Sequence, residues 1–325
     1  ASVGIALFPD HAHTGSTLLQ RADVAMYHAK GTRSGFEIYA PELDPFTPRR
    51  LALAGQLREA VDRGQIELLY QPQVELATSQ VPGVEALVRW RHPRLGLLTP
   101  DEFIPAAEHT GAIKSLTLEV LGQALDACAA WRRQGYDLHV SVNLSVTSLL
   151  DQGLPGDVHA LLTTRDLPAD VLVLELTEGS IMTESRRSVS VLSDLDHMGV
   201  RLSIDDFGTG YSSLSHLRRL PVSEIKIDRS FVAGLTIDEH DAAIVRTTID
   251  LGQHLGLRVV AEGTESVDSL ERLRELGCDA AQGFVISRPR PIDSLDEWLT
   301  DQNVRMLVSP APATSLQERR AQRGI

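Results

Sequence analysis

From residue 66 to about residue 299, short apolar runs alternate with longer stretches whose apolar positions recur at helical spacing, the pattern of a parallel α/β protein. Eight runs read as strands, at residues 66–71, 84–90, 138–143, 171–176, 201–205, 224–228, 257–262 and 279–283. Eight strand–helix units over a span close to the ~250 residues typical of such folds predict a TIM-like (β/α)8 barrel rather than an open doubly wound sheet. The first two strands are linked by a short connection around Ala77-Thr78-Ser79-Gln80, whereas a parallel crossover needs about a dozen residues. The first strand is therefore expected to run antiparallel.

Upstream, Val3-Gly4-Ile5-Ala6-Leu7-Phe8 reads as a strand, residues 16–29 as a helix and 36–39 as a second strand, a short N-terminal α/β piece too small to fold alone. Residues 41–48 form a Pro-containing linker. Leu51, Leu53, Leu57, Ala60 and Val61 then suit a helix over 49–63 that opens a second domain, 49–300. Residues 301–325, with Pro310 and Pro312, read as a loose C-terminal tail.

Polar residues fall at a repeated place in this pattern. Glu85, Asn143, Glu175, Asp205, Lys226 and Glu262 each sit at or near the C-terminal end of a strand, where barrel enzymes gather their chemistry. Strand alternation puts Glu85 on one face with Leu87 and Arg89, Asn143 with Ser141, Asp205 with Ser203, and Lys226 with Glu224. Any one of these carboxylates read alone is an ordinary solvated cap, and Lys226 alone is a surface partner for Glu224 or Asp228. Their coincidence at one end of successive strands is what points to a site. Asp205 and Asp206 are adjacent, and two like charges ~4 Å apart repel by about 4 kcal/mol at an effective dielectric near 20. Bound cations relieve that repulsion, and oxygen-only ligands favour Mg2+ or Mn2+ over zinc, with two ions sharing one Asp. Gly208 and Gly210 give the following loop backbone freedom, either for movement or for an ordinary turn.

Composition narrows the partners. The 325 residues carry a formal charge of -13, which argues against a nucleic-acid polymer as ligand and leaves room for a small phosphorylated one held through metal. Lysine occurs only at Lys30, Lys114 and Lys226. Cys128 and Cys278, 150 residues apart and without metal-ligand spacing, read as buried reduced thiols. No apolar run approaches the ~20 residues of a membrane span, so no membrane contact is expected from this fragment and a cytoplasmic setting is, with a tether upstream in a longer parent chain left open.

The motif series resembles the EAL domain family of cyclic di-GMP phosphodiesterases over roughly residues 50–300: Tyr70-Gln71-Pro72, Glu85-Ala86-Leu87-Val88-Arg89-Trp90, Phe103-Ile104-Pro105, Ser141-Val142-Asn143, Glu175-Leu176-Thr177-Glu178, Asp205-Asp206-Phe207-Gly208-Thr209-Gly210, Lys226-Ile227-Asp228, Ala261-Glu262-Gly263 and Gln282-Gly283-Phe284. The resemblance implies that Glu85, Asn143, Glu175 and Asp205 hold a first metal and Asp205 with Asp206 a second. It implies Lys226 beside the attacking water, Glu262 completing the metal site or acting as base, and Gln282 orienting the water. Gln71 and Arg89 would contact the dinucleotide, Leu87 would line its pocket, Glu178 would steady the 205–210 loop, and Glu265 would be an outer carboxylate. A homodimer formed beside that loop is implied as well. Gln73, Thr264 and Val285-Ile286 depart from the usual family residues without removing a metal ligand. Residues 2–7 with 19–30 resemble the C-terminal end of a GGDEF domain; the Gly-Gly-Asp-Glu-Phe signature is absent, so cyclase activity is not expected. Hydrolysis of cyclic di-GMP to linear 5′-pGpG is the expected function, with a non-catalytic cyclic di-GMP receptor as the alternative.

Overall fold

A computed structural model describes residues 2–32, 35–44, 47–181, 186–210, 217 and 219–300. The expected tail at 301–325 lies outside the described residues. At the N-terminus, β1 (Val3–Ile5) and β2 (Phe36–Ile38) pair in parallel, joined by the helix Gly15–Thr32. Both strands are shorter than expected and the helix longer. The helix lies so close to the ribbon that a Cβ at Gly4 would stand 1.9 Å from the Ala22 carbonyl oxygen. Among the described residues no helix is long and apolar enough to cross a membrane.

The remaining strands are β3 (Ile66–Glu75), β4 (Gly83–His92), β5 (Gly96–Leu98), β6 (His139–Asn143), β7 (Leu172–Thr177), β8 (Arg201–Phe207), β9 (Glu224–Ile227), β10 (Arg258–Ala261) and β11 (Ala280–Ala281). Their hydrogen-bonded order is β3-β11-β10-β9-β8-β7-β6-β4, and a β3–β4 pairing closes the ring, giving the expected eight-stranded barrel. β3 runs antiparallel to both of its neighbours, as its short connection requires. β5 lies outside the ring as a hairpin on the end of β4, an element the alternation did not predict.

Boundaries move for local reasons. β3 continues four residues past residue 71, through Pro72. Tyr70 exchanges backbone hydrogen bonds with Arg290 at 2.7 and 2.9 Å, so Pro72, two residues on, also faces away from β4 and its missing N–H costs no rung between the two strands. β9 stops at Ile227 because Asp228 caps the helix Arg229–Gly234, its carboxylate accepting from Ser230 N at 3.0 Å. β8 runs on through Phe207, with a register shift between Ile204 and Phe207. β11 is reduced to two residues, although Gln282 N still donates to Ala261 O at 2.8 Å. The helix Pro48–Asp62 lies where one was expected over 49–63, and the Thr47 side chain caps it by accepting from Arg50 N.

Two cores result. Between barrel and helices lie aliphatic residues such as Leu174, Leu202, Ile225 and Ile227, each fully buried and each contributing on the order of 1.5–3 kcal/mol. Inside the barrel many of the alternate positions are polar, with Val173, Val260 and Ala280 among the apolar ones. Cys128 and Cys278 are buried and free, and burial pushes both thiols up to about 12.

Candidate metal and phosphodiester site

The polar interior culminates at the C-terminal mouth of the barrel. Lys226, on β9, is 0% exposed, and its Nζ touches four carboxylates: Glu262 Oε1 at 2.5 Å, Glu175 Oε2 at 2.8 Å, Glu85 Oε2 at 3.3 Å and Asp205 Oδ1 at 3.7 Å. Period-two alternation explains the convergence. Glu85 lies opposite Ser141, Asn143 opposite Glu175, and Glu175 opposite Ser203, so the strands that carry these groups direct them to a single interior layer.

A hydrogen-bonded frame fixes one side of this cluster. Asn143 Nδ2 donates to Glu85 Oε1 at 2.7 Å. Gln282 Nε2 donates to Glu85 Oε2 at 2.6 Å and to Gln71 Oε1 at 3.0 Å, and Gln71 Nε2 donates to Ser287 O at 2.9 Å. Glu175 Oε1 is buried with no hydrogen-bond partner. Asp205, Asp206 and Glu262 each bring a carboxylate oxygen within 4.8 Å of the other two. Three converging carboxylate oxygens are the feature a hard cation would satisfy.

Electrostatics follow from crowding under burial. Burial alone would lower Lys226, but Asp205, Glu175, Glu262 and Glu85 together hold its ammonium well above the ordinary lysine range. Burial would likewise raise Glu85, yet Lys226, Gln282 and Asn143 keep its carboxyl below the usual value. Glu175 is pushed well up by burial and by Glu85. Burial lifts Glu262 to about 8, with Lys226 opposing, and lifts Asp206 to about 6, helped by the charges of Asp205 and Asp228. Without cations the cluster therefore retains protons near neutrality.

The start of the loop after β8 is held by Glu178. Glu178, 2% exposed, accepts from Gly208 N at 2.9 Å and Gly210 N at 3.1 Å through the same Oε2. Gly208 has φ +101 and Gly210 lies where a Cβ would stand 2.7 Å from Glu178 Oε1, so neither position admits a side chain without displacement. Asp206 itself adopts φ +56, an unusual conformation for a residue with a Cβ. It aims the second carboxylate of the pair at the mouth.

Beside the cluster opens a cavity of about 480 Å3, lined by Leu87, Ile104, Pro105, Glu108, Asn143 and Ser145 among others. Arg89 is half-buried, donates to Val88 O at 2.7 Å, and is lowered by burial against the opposing pull of Glu85 and Asp101. Of the expected site residues, Glu85, Asn143, Glu175, Asp205, Asp206, Lys226, Glu262, Gln71 and Gln282 come together, Leu87 lines the adjoining cavity, and Glu178, Gly208 and Gly210 build the loop. Glu265 is exposed. Two groups were missed. Asp228 acts on both Asp205 and Asp206, and its only signal was its spacing two residues after Lys226. Glu108 lies in the cavity, where burial raises its carboxyl and His109 and Ser145 oppose; it ends the motif Phe103-Ile104-Pro105-Ala106-Ala107-Glu108 that carries the family resemblance, but no role was assigned to it.

Comparison with known proteins agrees with this geometry. A bifunctional diguanylate cyclase/cyclic di-GMP phosphodiesterase, MucR of Pseudomonas aeruginosa, is 43% identical over 297 residues, covering 91% of this chain and 43% of MucR. The cyclic di-GMP phosphodiesterase NbdA of the same organism is 40% identical over 301 residues, covering 92% of this chain and 38% of NbdA. The chain thus spans less than half the length of these curated relatives. A solved structure of the PaMucR phosphodiesterase in complex with c-di-GMP superposes with a TM-score of 0.72 at 44% identity, covering 75% of this chain and 99% of that one. The EAL domain family model matches residues 54–289, the whole barrel apart from its first helical turns and closing helix, and the chain belongs to the EAL domain family.

Proposed function

We propose that the chain hydrolyses cyclic di-GMP to linear 5′-pGpG, using divalent cations bound at the barrel mouth. The observation that carries this is a charge imbalance. Glu85, Glu175, Asp205, Asp206 and Glu262 crowd a single ammonium, Lys226. Fully ionised, they leave an excess of negative charge equal to two divalent ions, and their all-oxygen character suits Mg2+ or Mn2+. Glu85, Asn143, Glu175 and Asp205 would hold one ion, and Asp205, Asp206 and Glu262 the other. Such ions supply neutralisation of the phosphodiester and acidification of water near neutral pH.

The side chains carry the remaining work. Lys226 presents positive charge to the attacking water and the phosphoryl oxygens, and Gln282, fixed between Gln71 and Glu85, orients the water. Glu262 would complete the second metal set or accept a proton from the attacking water. The water oxygen bonds to phosphorus, the P–O3′ bond breaks, and the proton ends on the departing 3′ oxygen, leaving a 5′-phosphate and a 3′-hydroxyl. Arg89 and Gln71 bind the dinucleotide backbone. The cavity beside Leu87 takes a guanine, whose N1–H and N2–H donors match the Glu108 carboxylate. The activities for which MucR and NbdA are named, and the c-di-GMP bound to PaMucR, support the choice of substrate.

Incubation of the purified chain with cyclic di-GMP and Mg2+ or Mn2+, followed by chromatography of the nucleotides, is expected to yield 5′-pGpG. Binding without a linear product would make the domain a receptor instead. On the same basis residues 1–40 are the C-terminal part of a GGDEF-like domain, 49–300 form the phosphodiesterase domain, and the reaction belongs in the cytoplasm, where the two thiols stay reduced. Two copies pair beside the 205–210 loop; sedimentation as a monomer with full activity would remove that pairing.

A further inference from the structure

One row of paired positions descends through the barrel interior. Register joins Asn143 to Glu175, Glu175 to Ser203, Ser203 to Glu224 and Glu224 to Arg258, crossing β6, β7, β8, β9 and β10 in turn. Asn143 ends its strand at the mouth, whereas Glu224 and Arg258 begin theirs at the opposite end. There Arg258 meets Glu75 Oε1 at 3.3 Å. Four consecutive members carry a buried polar atom with no hydrogen-bond partner: Glu175 Oε1, Ser203 Oγ, Glu224 Oε1, and Nε and Nη2 of Arg258, whose Nε stands 3.4 Å from Glu224 Oε2. Ser141 Oγ and Gln73 Nε2, which face the same interior, are orphaned as well. Apart from Arg258, none of these residues is more than 3% exposed.

An orphaned buried polar atom costs about 1–3 kcal/mol, so a run of them in a folded core implies partners. Some inward positions carry small side chains. Barrel interiors are ordinarily filled by bulky branched side chains, whereas Ser141, Ser203 and Ala280 occupy inward positions here. Direct contact does not close the gap. Burial raises the Glu224 carboxyl and Ser203 offsets part of that rise, yet the Ser203 hydroxyl makes no hydrogen bond of ordinary geometry. Water is the partner small enough and able both to donate to carboxylates and to accept from a hydroxyl.

We infer that ordered water occupies this row and bridges Glu175, Ser203 and Glu224, and that Ser203 and Glu224 are positioning residues which, through that water, hold the Glu175 carboxylate against Lys226. The kinetic consequence rests on the phosphodiesterase reading above; the water site does not. Valine and threonine have nearly the same volume and differ in the hydroxyl, so they separate hydration from packing at residue 203.

A high-resolution crystal structure of the unmodified chain is expected to reveal a water within ~3.2 Å of Ser203 Oγ and of a carboxylate oxygen of Glu175 or Glu224. Ser203→Val should expel it and lower kcat for cyclic di-GMP about tenfold with KM within about twofold, while Ser203→Thr restores kcat. Glu224→Gln, which keeps the shape, should lower kcat in the same selective way and serves if Ser203→Val fails to fold. A dry row in the unmodified chain, or equal kcat for the Val and Thr variants, overturns the inference. Absence of any turnover by the unmodified chain would defeat the phosphodiesterase reading alone, because the crystallographic water is still decided.

Discussion

Lys226 is a cation sealed from solvent and touched by Glu85, Glu175, Asp205 and Glu262, so its removal leaves buried like charges facing one another. Breaking a buried ion pair in this one-sided way typically costs about 3–5 kcal/mol. Lys226→Met is therefore expected to lower the melting temperature of the metal-free protein, to make melting more dependent on added Mn2+ than in the unmodified chain, and to reduce kcat at least about a hundredfold. Calorimetry with and without Mn2+, beside steady-state kinetics, checks all three; an unchanged metal-free melting temperature would contradict the counter-charge role. Asp206 differs in kind. Its carboxyl lies at the edge of the cluster, so Asp206→Ala should abolish turnover while cyclic di-GMP binding, read by calorimetry, is largely kept.

At the scale of elements, the loop after β8 depends on an interaction between two segments distant in sequence. Glu178 opens the short helix Glu178–Ile181 and receives the N–H groups of Gly208 and Gly210 on a single oxygen. Glu178→Ala frees both donors, whereas Glu178→Gln keeps a carbonyl oxygen for them. Activity should fall strongly in the first variant and partly recover in the second, with stability changed by roughly 1–3 kcal/mol in the first. Gly208→Ala is a sharper probe. At φ +101 the new Cβ would stand 2.9 Å from the Phe231 ring, so the loop must shift and carry Asp206 with it. Loss of kcat without loss of the global fold by circular dichroism is the expected outcome. Wild-type turnover in Gly208→Ala would mean that the loop's geometry does not govern the second carboxylate.

For the whole molecule, protons and metal ions compete for the same oxygens. Glu262 near 8 and Asp206 near 6 hold protons in the metal-free state, and cations bind the ionised forms, so metal affinity should climb as pH rises through about 6 and on to about 8. Titration calorimetry of Mn2+ in buffers of different ionisation enthalpy should register proton release at pH 7; zero release would contradict the raised carboxyls. Acid stability has a separate origin at the far end of the barrel. Burial, with Arg201 and Arg258, depresses His139 from about 6.5 to about 3. The unfolded chain takes up that proton first, so the contribution is intact above pH 6.5 and is lost as pH falls toward 3, by up to about 1.4 kcal/mol per unit. Denaturant titrations should show this slope shallower in His139→Gln.

Alternation of apolar and polar residues was enough to read the eight strands and the ends at which Glu85, Asn143, Glu175, Asp205, Lys226 and Glu262 gather, because a strand's period fixes which side chains share a face, and the short connection at residues 77–80 was enough to read the antiparallel first strand. Glycine at 208 and 210 announced a loop with backbone freedom, and the structure added that neither position admits a side chain without displacement. What alternation could not reach is anything set by the stagger between strands. The continuation of β3 through Pro72 depends on which neighbour faces that residue, and β5 depends on the hairpin that follows β4. Asp228 and Glu108 gain their electrostatic neighbours only when separate segments are brought together. The tilted register that aligns Glu175, Ser203, Glu224 and Arg258 belongs to the closed ring alone. Periodicity is local, a property of each strand; closure and register are collective, and they decided which of the locally specified groups became neighbours.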